Sequence, residues 1–284
     1  MNWSPIGLRY YAPAVSLRPY ISSYYLFHVD MAEFGDLMRA DLPQLRFMLS
    51  GDAWYHFGDG RIEKASKISL IGPTYGAYRV EVKGPLLVFG IGLLPTGWAS
   101  IVKADASELT DRVLDAEALF GGEAAALMRG LEGIESPANM IELANGFMRR
   151  RLARMPESPL WFTRLTDRWL TSSPSPVVDE LIGAADMSGR QVERLAKRIY
   201  GAPPKLLARK YRALKAAAAL AKGGAHWSDV AGDAFSDQSH FIRECRQFIG
   251  ITPNQLISNP PPTTRLTLER RRTNGVLPEL IKIT

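Results

Sequence analysis

Cysteine is almost absent from this chain: Cys245 is the one in 284 residues. No internal disulfide can form, and a reducing cytoplasm is the expected compartment. Histidine is scarce as well, with four in all. Only His28 and His56 fall in the N-terminal half, with no His-x-His and no His-x-x-x-Glu around them. A metal site on strands needs clustered ligands, so none is expected there. No apolar run reaches 18 residues, which excludes a membrane-spanning helix from the expectations. The opening residues lack an apolar core behind a basic start, so no signal peptide is expected. A phosphate loop, a Gly-x-Gly-x-x-Gly before a helix and a Gly-x-Ser-x-Gly are all missing. Neither an enzyme nor a cofactor is expected.

What is present is enough for about two domains. Apolar residues make up 46% and aromatics 10%, a composition that buries real cores. The net charge of +6 is unevenly placed. Residues 160–284 carry 19 Lys and Arg against 11 Asp and Glu, whereas residues 1–159 carry 16 against 18. A basic C-terminal half beside a slightly acidic N-terminal half points to a polyanion partner for the former. A solvated basic surface gives the same count.

Residues 1–115 read as strands. The segments 21–29, 45–51, 53–62, 67–72, 77–84 and 86–94 are short and rich in aromatic and β-branched residues. Gly58-Asp59-Gly60 reads as a hairpin turn. From Pro95 the pattern turns helical: a short helix at 95–104, another over the stretch ELTDRVLDAEALFG, then 122–132 and 137–154. Pro156 and Pro159 mark a linker. Helices follow near 160–171, 177–185, 188–200, 204–222, 227–233, 237–249 and 253–257. Residues 263–284 are a basic tail of open structure.

Two passages carry the most information. MSGRQVERLAKRIYGAPPKLL (187–207) and FSDQSHFIRECRQFIGITPNQL (235–256) follow one plan. A polar residue starts a basic amphipathic helix, a glycine stops it, and a proline starts the next. Arg190, Glu193 and Arg194 lie at i, i+3 and i+4 and share a face. The helix at 204–222 joins the two passages and is on the order of 28 Å long. That length can set two helices on successive major-groove segments, which lie about 34 Å apart.

These passages resemble the DNA-binding domain of the AraC/XylS family of transcriptional regulators over roughly residues 160–258. The resemblance rests on Ser188, Arg190, Glu193, Arg194, Gly201, Pro204 and Lys205, and on Asp237 to Phe241, Arg243, Glu244, Phe248, Gly250, Thr252 and Pro253. It implies an all-α domain of two helix-turn-helix units joined by a long helix. It also implies that Arg190, Glu193 and Arg194 read bases from the first unit, and Gln238, Ser239 and Arg243 from the second, with His240 beside them. Ser188, Lys197, Arg198, Lys205 and Arg246 suit phosphates. Glu193 with Lys197 is equally an i,i+4 ion pair. The chain departs from the family at Ala196 and Cys245, where a bulky aromatic is usual, and at Asp186 and Ala234, where glycine is usual.

The N-terminal segment resembles the cupin-like domain of some AraC-type regulators. The carrying fragments are Leu-Arg-Pro-Tyr (17–20), Ile-Gly-Pro (71–73) and Ser-Glu-Leu-Thr-Asp-Arg-Val (107–113). The fold expected is therefore two-domain α+β. Residues 1–121 form a cupin-like β-barrel or sandwich for sensing or dimerisation, and 122–157 a helical dimerisation and linker segment. Residues 158–258 form the DNA-binding domain and 259–284 the tail. Expected partners are double-stranded operator DNA, a small-molecule effector in the barrel and a second copy of the chain, with RNA polymerase as a candidate and no membrane. Tyr24, Phe27, Trp54, Tyr55, Phe57, Tyr75 and Tyr78 are the aromatics that motivate the effector. The alternatives are a cupin-type metalloenzyme or a partner-binding module with a non-specific basic domain.

Overall fold

A computed structural model describes residues 4–154, 160–221 and 234–273. The N-terminal domain is an antiparallel sheet of eight strands: β1 (Ile6–Tyr11), β2 (Ile21–Val29), β3 (Glu33–Met38), β4 (Gln44–His56), β5 (Ile62–Lys64), β6 (Ile68–Ile71), β7 (Tyr78–Leu93) and β8 (Val113–Asp115). The order is β1-β2-β7-β4-β6-β8, with β3 added to β7 and β5 to β4. β4 and β7 are long, and together they shape the sheet into an open, cupin-like barrel. The start of β7 pairs with β3 (Tyr78 to Lys83), and its end pairs with β2 (Leu86 to Leu93).

The structure has four separate segments of the sequence joined in pairs. Residues 45–51 and 53–62 were expected as two strands, but β4 runs through Gly51. That glycine has φ +78° and sits against the backbone of Lys83 and Pro85, where the register slips in a bulge. β7 likewise continues through residues 84 and 85. The hairpin at 58–60 forms as expected: Phe57 N–H donates to the Arg61 carbonyl and Gly60 N–H to the Phe57 carbonyl. Part of the helix expected over ELTDRVLDAEALFG is strand instead. β8 pairs with β6, and a helix begins only where the Asp115 carboxylate caps Glu117 N–H at 2.9 Å.

Helices follow the sheet. α1 (Pro95–Gly97) continues as a π-helical turn over Trp98–Val102, and α2 (Ala116–Phe120), α3 (Gly122–Leu131) and α4 (Pro137–Ala153) pack on the outer face. One core lies between these helices and the sheet, around Trp98, Phe47, Phe89 and Phe147. Fully burying such a side chain contributes about 1.5–3 kcal/mol. The buried Asn145 of α4 ties this layer to the sheet, accepting from Tyr24 Oη at 3.0 Å and Ala14 N–H at 3.2 Å. A second core fills part of the barrel, with Tyr55, Phe57, Tyr78 and Val82. The basic end of α4 pairs inward, where Arg151 and Arg154 both meet Glu123.

The C-terminal domain is all-α among the described residues: α5 (Leu160–Ser172), α6 (Val178–Ala185), α7 (Gly189–Tyr200), α8 (Pro204–Ala221), α9 (Gln238–Phe248), α10 (Pro253–Ser258) and α11 (Pro262–Thr273). The linker at 155–159 and the helix expected at 227–233 lie outside the described residues. So does the tail beyond residue 273. The tail's first part is the helix α11, which packs on the edge strands β1 and β3. Its Thr263 donates from N–H (2.6 Å) and hydroxyl to the buried Asp36 carboxylate.

The two domains share an apolar seam. Leu42, Tyr75 and Leu94 of the first belong to the core built by Phe162, Trp169, Val192 and Leu207 of the second. Lys210 of α8 is buried in the seam and donates to the carbonyls of Asp41 (2.8 Å) and Thr74 (2.9 Å).

Candidate nucleic-acid interface

The first helix of the basic pair is α7. Ser188 caps it through a full capping box with Gln191. Asp186, where glycine is the family's habit, ends α6 in the left-handed region at φ +51°, a conformation that aspartate tolerates. Val192, Ala196 and Ile199 are buried, and Leu195 is half-buried. The opposite face presents Arg190, Glu193, Arg194 and Arg198 to solvent, with Lys197 half-exposed. Glu193 is held by Lys197 at 2.7 Å. The intrahelical pair weighed against base reading is therefore formed, and Arg190, Arg194 and Arg198 are the exposed cations of that face.

The second helix of the basic pair is α9. Asp237 caps it by accepting His240 N–H at 2.7 Å, and these bonds hold its carboxyl below the usual carboxylate range. Phe241, Cys245 and Phe248 point into the core. Burial pushes the Cys245 thiol up to about 12, which suits a small apolar filler rather than a nucleophile. Gln238, Ser239, Arg243 and Arg246 are exposed. His240, grouped with the base readers in the sequence, is turned toward α8. Its ring lies against Phe235 and within 3.8 Å of Glu244 and 3.5 Å of Arg212. The buried Glu244 accepts from Arg209 at 2.9 Å and so clamps α9 to α8. Neither Arg209 nor Arg212 stood out in the sequence, because a basic residue on a long helix has no marker for an inward partner.

α8 spans 18 residues, which is about 27 Å. Lys205 is exposed in its first turn. One described assembly thus carries two capped helices, each with exposed arginines, on a common rod. Each helix can enter a major groove about 12 Å wide, where an arginine forks onto guanine and a glutamine onto adenine.

The C-terminal end of each of these two helices faces the barrel. Gly201 stops α7 at φ +87°; its carbonyl accepts from Thr110 Oγ1 at 2.9 Å, and a Cβ there would lie 2.6 Å from Pro73. Gly250 follows α9 at φ +89°, and a Cβ there would lie 2.3 Å from Leu37. Beside it the carbonyls of Phe248 and Gln247 accept the backbone N–H groups of Ala40 (2.7 Å) and Ala77 (2.8 Å). Both units are therefore docked through the turn that ends the helix, and the N-terminal halves carrying Arg190, Arg194, Gln238 and Arg243 stay exposed.

Among the described residues, no group of three or more His, Cys, Asp and Glu is close enough to hold a metal ion, and no helix is long and apolar enough to cross a membrane. His56 pairs with Glu81 at 3.1 Å.

A helix-turn-helix domain family matches residues 181–259, and a domain of unknown function (DUF6597) matches residues 9–115. No curated protein matches the chain. Among solved structures, ToxT from Vibrio cholerae is similar at 10% identity over 82% of this chain and 97% of that one, with a TM-score of 0.48. A second structure of ToxT, bound to an unsaturated fatty acid, matches at 9% identity over 79% and 94%, with a TM-score of 0.44. The AraC-like transcriptional activator CuxR matches at 12% identity over 71% and 83%, with a TM-score of 0.28. The C-terminal part of the chain thus carries a helix-turn-helix domain, set behind a sheet-rich N-terminal domain.

Proposed function

We propose that the protein is a sequence-specific DNA-binding regulator that reads two successive major-groove segments of one operator. The observation that carries this reading is the pair of capped basic helices on one 18-residue rod, each with its arginine face exposed. In this reading Arg190 and Arg194 read one block of bases. Gln238, Ser239 and Arg243 read the other. Ser188, Lys197, Arg198, Lys205 and Arg246 hold phosphates and set the register. Glu193 contributes to base reading only on leaving Lys197, and His240 only on leaving Glu244.

The N-terminal domain acts as the sensor. A small molecule in the barrel alters how both reading helices are presented, because the turn ending each helix rests on the barrel. The helices over 122–153 supply contacts between two copies in a homodimer; Leu119 and Leu143 are exposed apolar residues on that layer. RNA polymerase is the further partner of an activator of this kind, and the cytoplasm is its compartment.

Selection of the purified full-length protein against a random-sequence duplex pool, at two salt concentrations, tests the reading. Enrichment of a site with two blocks about one helical turn apart is the expected result. Weak, salt-sensitive binding with no enriched sequence would reduce the domain to a phosphate grip and overturn the reading.

A further inference from the structure

One short stretch of the sheet domain, Asp36 to Ala40 where β3 ends, grips the second helix-turn-helix unit on both sides of α10. Before α10, the Ala40 N–H donates to the Phe248 carbonyl at 2.7 Å, and Ala40 is fully buried beside Phe248 and Ala213. Leu37 lies against Gly250, in the space a Cβ would need. After α10, Asp36 reaches the start of α11. Its Oδ1 accepts from Leu37 N–H at 2.8 Å, and its Oδ2 accepts from the N–H (2.6 Å) and the hydroxyl of Thr263. The first unit rests on other residues. There the Tyr200 carbonyl accepts from Tyr75 Oη at 2.8 Å and the Gly201 carbonyl from Thr110 Oγ1 at 2.9 Å. Each unit thus has its own hold on the sheet domain.

Asp36 stands in for a missing helix cap. The residue before α11 is Pro261, whose carbonyl accepts from Arg265 N–H at 2.9 Å but whose ring offers no acceptor. A helix leaves its first N–H groups unpaired, and an N-cap side chain ordinarily takes the one at the second or third position. Here a carboxylate of another domain takes it, at the positive end of the helix. Among the described side chains of α11, those fully buried are Thr263, Thr264 and Thr267. Threonines bury little apolar surface, so the docking leans on hydrogen bonds. A helix of 12 residues is also marginal on its own in water. One turn past Thr264, Leu268 packs against the core of the second unit, which holds Phe241, Cys245 and Leu256.

We propose that Asp36 is a positioning residue for the second unit. It folds α11 onto the sheet, and α11, through Leu268, holds α9 in the orientation from which it reads its block of bases. The proposal deepens the regulator reading above and rests on it. It makes the second head adjustable without the first, because the two holds are built from different residues.

The test is amide hydrogen exchange and duplex affinity of the full-length protein, comparing wild type with Asp36→Ala, Asp36→Asn and Thr263→Pro. The duplexes are the selected site and its two versions with one block scrambled. Asp36→Ala is expected to speed exchange across 264–268 by at least about tenfold, because a buried N–H and hydroxyl lose their acceptor, and to leave α7 unchanged. It should lose about tenfold in discrimination at the block that Arg243→Ala also affects, and nothing at the other. Asp36→Asn keeps a side-chain oxygen for the Thr263 N–H and should restore most of both readouts. Thr263→Pro removes both donors, yet proline is tolerated in a first helical turn, so it should behave like Asp36→Ala. It decides the matter should Asp36→Ala fail to fold. Unchanged exchange in the folded variants, equal loss at both blocks, or a freed α11 with full discrimination at both would each overturn the proposal. A wild type that selects no sequence sinks the regulator reading and this role with it. A selected site that Asp36→Ala reads as well as wild type does sinks the positioning role alone.

Discussion

Asp167 lies inside the first reading unit, where the Tyr200 hydroxyl donates to its Oδ1 at 2.8 Å. Burial raises its pKa to about 7, against an ordinary 3.8, and the Tyr200 bond only partly opposes this. Between those two values the native protein keeps a proton that the unfolded chain has released. The stability from that proton is therefore full below the unfolded pKa and is lost as pH rises through about 7. Asp167→Asn keeps the acceptor and removes the charge, so its gain in melting temperature over wild type should grow between about pH 5 and about pH 8. A constant gap would show that Asp167 is not held protonated. Cys245 gives a simpler readout. With its thiol raised to about 12 by burial, it should resist a disulfide reagent at about pH 8 in the native protein and react once unfolded in urea. At this scale the sequence was legible where side chains face outward or fill a core: Arg190, Arg194, Phe241 and Cys245 stand where their spacing put them. Arg46 was not, because a lone arginine in the strand LRFML looks like a solvent-facing position, yet in the folded sheet it is half-buried and donates to Tyr25, Tyr55 and Gln44.

The two basic helices were legible as elements because capping, a 3.6-residue apolar period and a terminal glycine all agree at 188–201 and at 237–250. The sheet was harder. Gly51 looks like a turn but relaxes as a bulge inside β4, since its flanks find partners on the same neighbouring strand. Asp115 is a true helix cap, yet the three residues ending at it pair with β6, so the helical pattern was overridden across Val113–Asp115 by a sheet edge. The tightest constraint on the elements is at Gly201 and Gly250, each with a left-handed φ and no room for a Cβ. Alanine at either costs about 1–2 kcal/mol for the backbone alone, and more for the clash with Pro73 or Leu37. Urea unfolding should show both variants losing at least that much. Ser188→Ala, which removes only a cap, should lose about 1 kcal/mol. If Gly201→Ala and Gly250→Ala matched wild type, neither glycine would be closely packed against the barrel.

At the scale of the whole molecule, an apolar seam joins the sheet domain to the helical domain. Lys210 is buried in it with two barrel carbonyls as its acceptors, and burial lowers its pKa to about 8. Lys210→Met leaves both carbonyls unpaired, so it should cost about 1–3 kcal/mol. It should also raise protease access to the seam before global unfolding. The uneven charge along the chain marked which half carries the two basic helices, but the seam had no signature in sequence, since backbone carbonyls are the acceptors of Lys210. The central claim is that two separate heads read two separate blocks of one site. The most direct measurement is the affinity of wild type, Arg194→Ala and Arg243→Ala for the selected duplex and for duplexes with either block scrambled. The account predicts that Arg194→Ala loses about 1–3 kcal/mol of discrimination at one block only, and Arg243→Ala the same at the other. Equal, sequence-blind weakening by both variants would contradict it.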